Sequence, residues 1–257
     1  MKQMLQQAGL AAYGALARTG VMKRAWARRA FLAAYSVYKT WIEAGPVDRL
    51  KEFIPPGSTV VDIGANVGFF TLKFARWAGE RGRVIAVEPD SENFAALAAK
   101  VSAAGLDGRV RLFQAAAAAE GGVVGFERNE LHPGDHRIRP GGEGIRVRAV
   151  TVDDLVTEIG VPLVSLIKID VQGAELLVLE GARRTLGKMR PALFIEVDDR
   201  ALGSFGSSAQ ALLAHVEGAG YAMYELANQG TPQKLSHERL FAKLQTLSYL
   251  DVLFLPK

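Results

Sequence analysis

The stretch STVVDIGANVGFF, residues 58–70, followed by RVIAVEPD, residues 83–90, decides the architecture of this chain. Ser58 to Ile63 is a short β-branched run that stops at Gly64. Helical spacing then runs from Val67 to Ala78, and Arg83 to Val87 makes a second strand. A strand, a glycine turn, a helix and another strand in this order begin an open parallel sheet. The same alternation continues downstream. Asp90 is a good N-cap for a helix with Phe94, Leu97 and Val101 on one face. Further strands are predicted at Arg109 to Phe113, Leu163 to Ile169 and Ala192 to Val197, with a helix through Leu176, Leu179 and Ala182.

Gly220 to Leu226 and Tyr249 to Leu255 read as two more strands, joined without a central helix and therefore antiparallel. The predicted fold class is α/β: a doubly wound, mostly parallel, Rossmann-like seven-stranded sheet with an antiparallel last strand and an N-terminal helical extension. Residues 45–257 form the main domain, and residues 1–44 a basic, amphipathic helical extension. An insertion at Gly121 to Val150 has predicted strands near Val123 to Phe126 and Ile145 to Val150 around a polar loop.

The 257 residues carry 31 Lys and Arg against 27 Asp and Glu, a net charge of +4. Eight basic and two acidic side chains fall in residues 1–50, leaving 23 and 25 for the rest, so the basic character belongs to the N-terminus. With no cysteine, disulfides, thiolate metal sites and cysteine nucleophiles are excluded. No apolar run approaches the roughly 20 residues needed to cross a bilayer. Leu10 to Ala17 ends in a small-x-small pattern, but its basic cluster follows the apolar run instead of preceding it, unlike a signal peptide. Residues 22–43 predict an amphipathic helix with Trp26 and Trp41 on its apolar face and Arg24, Arg28, Arg29 and Lys39 on its basic side. Such a helix packs on the domain or meets an anionic membrane surface. A cytoplasmic chain, peripheral at the inner membrane face if the second role holds, is the expectation.

The carboxyl end of the first strand is where open α/β sheets bind ligands. Gly64 and Gly68 should let the backbone approach a ligand closely, and the helix that follows offers unpaired N–H groups. Glu88, at the end of the second strand, is placed to accept hydrogen bonds from two adjacent ribose hydroxyls. The spacing is Gly-x-x-x-Gly, not the Gly-x-Gly-x-x-Gly of dinucleotide binders, and Asp62 precedes it by two residues. A carboxylate there repels a pyrophosphate and suits the ammonium group of an amino-acid-tailed nucleoside.

This pattern resembles the class I S-adenosylmethionine-dependent methyltransferases. The segments VVDIGANVGFFT (60–71), VIAVEPD (84–90), TVDDL (151–155), LIKIDVQGAELLVLEGA (166–182), RPALFIEV (190–197) and YLDVLFLP (249–256) together resemble the FkbM family. Its most specific element is the Lys-Ile-Asp-Val-Gln-Gly-Ala-Glu run, and its final strand more often begins with Asn where this chain has Asp251. The resemblance runs from about residue 45 to the end. It implies S-adenosyl-L-methionine as cofactor, held by Asp62, Gly64, Asn66, Gly68, Glu88 and Pro89, and methylation of a hydroxyl on a sugar, glycolipid or secondary metabolite.

Lys168 and Asp170 project to one face of the fourth strand, and Glu196 sits near the end of the fifth. Buried charges are paired, which predicts that Lys168 contacts Asp170, Glu175 or Glu196. A hydroxyl acceptor has a proton to lose. Asp170, Glu196 and a histidine of the inserted loop, His132 or His136, are the candidate bases. Two carboxylates without a recognisable third leave no metal site assigned.

Other chemistries fit less well. Adenine amino-methylation commonly uses an Asn/Asp-Pro-Pro-aromatic tetrad where this chain has Asp170-Val171-Gln172-Gly173, and cytosine C5 chemistry needs a thiolate. The acidic balance past residue 50 also disfavours nucleic acid, although Arg137, Arg139, Arg146 and Arg148 cluster locally. Two alternatives stay open: an NAD-dependent sugar oxidoreductase or epimerase, and a non-catalytic cofactor-binding scaffold at a membrane. The expected partners are a small-molecule, glycan or glycolipid acceptor and, through residues 22–43, a membrane surface; a homodimer is left open.

Overall fold

Burial on both faces explains why the central strands are almost wholly apolar. The computed structural model describes residues 47–127, 137–139, 144–227 and 230–257, with strand 137–139 described in its backbone. The N-terminal extension, including residues 22–43, lies outside the described residues. A short 3-10 helix, Asp48–Phe53, leads into β1 (Thr59–Ile63), α1 (Phe69–Trp77), β2 (Arg83–Val87), α2 (Ser91–Ala103) and β3 (Val110–Phe113). Then come β4 (Ala116–Ala117), β5 (Gly122–Glu127), β6 (Arg137–Arg139), β7 (Ile145–Val150), α3 (Val152–Ile159) and β8 (Val164–Ile169). The remainder is α4 (Glu175–Glu180), α5 (Arg183–Met189), β9 (Ala192–Val197), α6 (Asp199–Gly203), α7 (Ala209–Gly218), β10 (Tyr221–Glu225), β11 (Gln233–Lys234), α8 (His237–Leu244) and β12 (Leu250–Pro256).

The main sheet has the order β11-β10-β12-β9-β8-β1-β2-β3. The strands β3, β2, β1, β8 and β9 are parallel, whereas β12 is antiparallel to both β9 and β10. This is the doubly wound α/β class, with eight strands where seven are predicted. The extra strand is a two-residue edge piece, too short to show any alternation in the sequence. The chain leaves β1 towards β2 on one side and, through β8, towards β9 on the other. That reversal puts a ligand crevice at the carboxyl ends of β1 and β8.

Alternating residues feed two cores. Val61, Ile63, Ile167, Ile169, Leu193 and Ile195 pack on one face with side chains from α3, α4 and α7. Val60, Val84, Leu166, Phe194 and Leu253 pack on the other with Phe74 of α1 and Leu97 of α2.

Three local expectations need correction. The β10 to β12 connection contains a helix, α8, capped by Ser236, although the two strands are antiparallel as predicted. The inserted strands pair with β4 and β6 in a separate sheet of order β4-β7-β5-β6, begun by Ala116 and Ala117 as soon as the chain leaves β3. The helix expected through Ala182 is broken into α4 and α5. The break has two causes: the carbonyl of Gly181 accepts from the Asp153 amide, and the Asp153 carboxylate takes the Arg184 and Thr185 amides at the start of α5. No side chain fits at the junction, because a Cβ on Gly181 would lie 2.1 Å from the Ala118 carbonyl oxygen.

Gly181→Ala is therefore expected to cost more than about 2 kcal/mol, an overpacking penalty at a site where backbone cannot yield. Gly187→Ala, in exposed, open space on α5, should gain up to about 1 kcal/mol from helix propensity. Thermal or urea denaturation of both variants reads the contrast, and effects of equal sign would contradict it.

Candidate functional site

Two loops build the site, one after β1 and one after β8. In the first, the amides of Gly64 and Ala65 both donate to the carbonyl of Val87, which draws the turn against β2. Asn66 takes the left-handed region with φ of 50°, and its Oδ1 accepts from the Val67 amide at 2.7 Å. Its own amide donates to Glu88 Oε2 at 2.7 Å, and Oε1 of the same carboxylate accepts from the Asp90 amide at 3.0 Å. Half-buried Pro89 carries the chain from there to Asp90, which caps α2 through the Glu92 and Asn93 amides.

The turn glycines also meet a packing demand. A Cβ on Gly64 would sit 1.9 Å from the Asp170 carbonyl oxygen, and one on Gly68 would sit 2.7 Å from Leu97 Cδ1. Both therefore admit protein against protein, in addition to supplying their positive φ of 74° and 89°. Asp62 also lies deeper than predicted. It has no exposed surface; Oδ2 accepts from Thr71 Oγ1 at 2.5 Å, and Oδ1 faces the Lys168 ammonium at 3.6 Å. Burial pushes its pKa up, opposed by Lys168 and Thr71.

Lys168 is the centre of the second half. It pairs with Asp170 Oδ2 at 3.2 Å, as one of the three predicted partners, and with Asp62, which was not foreseen. It also donates to the Gly64 carbonyl at 2.8 Å and stands 5.2 Å from the centre of the Phe70 ring. Glu175 takes another part: its buried Oε1 accepts from the Val171 and Gly173 amides at 3.3 and 3.0 Å and closes the loop after β8. Burial, reinforced by the nearby Asp170 charge, pushes its pKa up to about 7.

A cleft opens beyond the turn, lined by Phe70, Lys168, Asp170, Glu196, Tyr249 and Asp251, with Phe194 beside Phe70. Asp170 and Glu196 are thus brought together as expected. The Gln172 amide bridges them, and Asp251 stands opposite Glu196 in the β9–β12 register. His132 and His136 fall outside the described residues. No group of three or more metal-ligating side chains placed to hold an ion is found among the described residues, and no described helix is long and apolar enough to cross a membrane. Tyr249 and Gln172, missed as site residues, had a signal in the sequence: both lie within the quoted motif segments or directly beside an assigned residue.

These residues suit the nucleoside of an adenosyl cofactor. The Glu88 carboxylate takes two backbone amides and has acceptor capacity left for a ribose hydroxyl. The doubly wound sheet is the Rossmann-like fold of methyltransferases. Residues 62–223, well over half of the chain, match the methyltransferase FkbM domain, and the chain belongs to that family, with S-adenosylmethionine as its cofactor.

The chain is also similar to the AMB antimetabolite synthetase AmbE of Pseudomonas aeruginosa, at 30% identity over 199 residues. That alignment covers 62% of this chain and 9% of the synthetase, so the chain spans about a tenth of the length of this curated relative. Among solved structures it resembles the methyltransferase FkbM of Methylobacillus flagellatus (18% identity, 88% of this chain, 54% of that one, TM-score 0.49). It also resembles an S-adenosylmethionine-dependent O-methyltransferase of Thermotoga maritima (13% identity, 82% of this chain, 63% of that one, TM-score 0.44).

Two outcomes are expected here. Lys168→Met leaves Asp62 as a buried, uncompensated charge and should destabilise the protein by about 3–5 kcal/mol, read by urea denaturation. Glu88, pushed up to about 7 by burial against the pull of its two amide donors, sets a pH dependence. Ribose hydroxyls donating to Glu88 would favour its charged form, so affinity for S-adenosylhomocysteine should be flat above about pH 7 and fall below it. Calorimetry from pH 5.5 to 8 measures this. The slope should vanish in Glu88→Gln, and a flat wild-type profile would remove Glu88 from ribose binding.

Proposed function

We propose that this protein transfers the methyl group of S-adenosylmethionine to a hydroxyl of a sugar, glycolipid or secondary metabolite. The carrying observation is the convergence of Asp170 and Glu196, from neighbouring strands, on one aromatic-walled cleft beyond the β1 turn. The similarity to a segment of an antimetabolite synthetase weights this acceptor class towards secondary metabolites.

The bound cofactor supplies an electrophilic methyl group on a sulfonium. The chain's own residues do the rest. Glu88 and the backbone of the 64–68 turn would fix the nucleoside, with Asp62 acting through the turn it supports. Phe70, Phe194 and Tyr249 offer apolar faces to an acceptor ring and keep water from the reacting oxygen. Displacement at carbon needs oxygen, carbon and sulfur in line, and holding that line contributes several kcal/mol by positioning alone. A carboxylate within reach of the acceptor hydroxyl then takes its proton as the new bond forms. Asp170, with Lys168 on one oxygen and Gln172 on the other, is held firmly enough for that task; Glu196 and His136 are the bases to compare with it.

A transfer assay with radiolabelled S-adenosylmethionine and a panel of glycosides and hydroxylated metabolites tests the reading. Asp170→Asn should lower turnover by about 10²–10⁴-fold, the usual worth of a general base, and leave S-adenosylhomocysteine affinity within a few-fold. Retained turnover removes Asp170 from the chemistry. Calorimetric binding of NAD in place of S-adenosylhomocysteine would favour an oxidoreductase instead. On sequence grounds alone, the proposal includes a peripheral membrane contact through residues 22–43, tested by flotation of the full chain on anionic liposomes.

A further inference from the structure

Three non-glycine residues among those described have positive φ: Asn66, Gln172 and Arg190. Arg190 follows α5, a position where a left-handed residue commonly ends a helix. Asn66 bends the first loop, and asparagine tolerates this conformation better than most side chains. Gln172, at φ of 55°, fits neither case. Its long side chain gains nothing locally from the left-handed region, and a glycine would adopt it without strain. Such outliers persist where the surroundings force them, and they gather at functional loops.

The surroundings here are specific. The Glu175 carboxylate takes the amides on both sides of Gln172, those of Val171 and Gly173. Gly173 is pressed against α6, where a Cβ would lie 2.3 Å from the Ala201 carbonyl oxygen. Held from both sides, the loop turns the Gln172 side chain to Asp170 and Glu196, two residues of the cleft wall. Its Nε2 donates to Glu196 Oε1 at 2.9 Å and approaches Asp170 Oδ1 at 3.4 Å. One NH₂ group has two hydrogens, enough for both carboxylates. Around this bridge stand Lys168 on the other Asp170 oxygen, Asp62 behind it, Asp251 opposite Glu196, Tyr249 on the wall and Glu175 beneath the loop.

We infer that Gln172 is the positioning residue of the reaction centre, its amide fastening Asp170 of β8 to Glu196 of β9 so that both carboxylates face the transferred group together. Two like charges this close repel, and a shared donor offsets the repulsion without adding charge. The inference rests on the methyl transfer proposed above. Removing the amide takes away the donor that the two carboxylates share, and the cation-attracting character of the cleft weakens.

Sinefungin tests this without an acceptor. It carries a protonated amine where S-adenosylmethionine carries the transferred methyl, whereas S-adenosylhomocysteine has nothing there. The ratio of the two affinities therefore reads the negative field at the methyl position. In wild-type protein sinefungin should bind the tighter. Gln172→Gly relieves the left-handed backbone while deleting the amide, and Gln172→Met keeps the length of the side chain without its donors. Each should lower the sinefungin preference about tenfold, the worth of a charge-assisted hydrogen bond, and leave S-adenosylhomocysteine affinity within about twofold. An unchanged ratio in both variants overturns the inference, as does a parallel loss of both ligands, which would make Gln172 a mere loop support. A wild type that binds neither ligand sinks the proposed function and this inference together. Normal wild-type preference with an unaltered ratio in the variants sinks the inference alone.

Discussion

A lysine ammonium enclosed between two aspartates holds the two halves of this site together. Lys168 is almost fully buried, in a strand made of Val, Ile and Leu apart from Ser165, where an unpaired charge would be prohibitively costly. Asp62 across the β1–β8 ladder and Asp170 two residues along its own strand provide the compensation. The network runs outward from there. Asp62 reaches Thr71 and so orients α1, while the lysine grips the carbonyl of Gly64 and so the β1 turn. Asp170 reaches Gln172, Gln172 reaches Glu196, and Glu196 stands against Asp251 of β12. A single polar line thus crosses four adjacent strands, at the carboxyl ends of β1, β8 and β9 and the amino end of β12.

Much of the family motif is architecture. Thr151 caps α3, and Asp153 caps α5 from a distance, so the TVDDL segment fixes where two helices begin. Glu175 closes the loop that precedes it. Lys168, Ile169 and Asp170 of the Lys-Ile-Asp-Val-Gln-Gly-Ala-Glu run line the cleft, and Gln172 bonds to its Glu196.

The sheet was legible because its strands are buried on both faces and read as continuous apolar runs, each ended by a glycine turn or an acidic residue. The convergence of Asp170 and Glu196 was legible for the same reason: side-chain parity along β8 and β9 follows from the sequence once the strands are recognised. What parity does not supply is depth and register between strands distant in sequence. Asp62 looked like a ligand-facing carboxylate; only the pairing of Asp62 with Lys168 across β1 and β8 shows it enclosed. A lone lysine in one central strand and a lone aspartate in another were a usable hint of that pair. The glycines at 64 and 68 also make room for Asp170 and Leu97, contacts invisible to local patterning. Helix α6 and strands β4 and β11 span too few residues for any period to emerge, and the α4–α5 break depends on a carboxylate some thirty positions upstream.

The excursion between β4 and β7 departs and returns at paired positions, Ala116 beside Ala149 and Ala117 beside Val150. A segment anchored like a cassette, with both ends clasped together outside the main sheet, can change its length and composition without shifting a single strand under the cofactor. Replacing this piece therefore leaves the carboxyl ends of β1, β2, β8 and β9 where they stand.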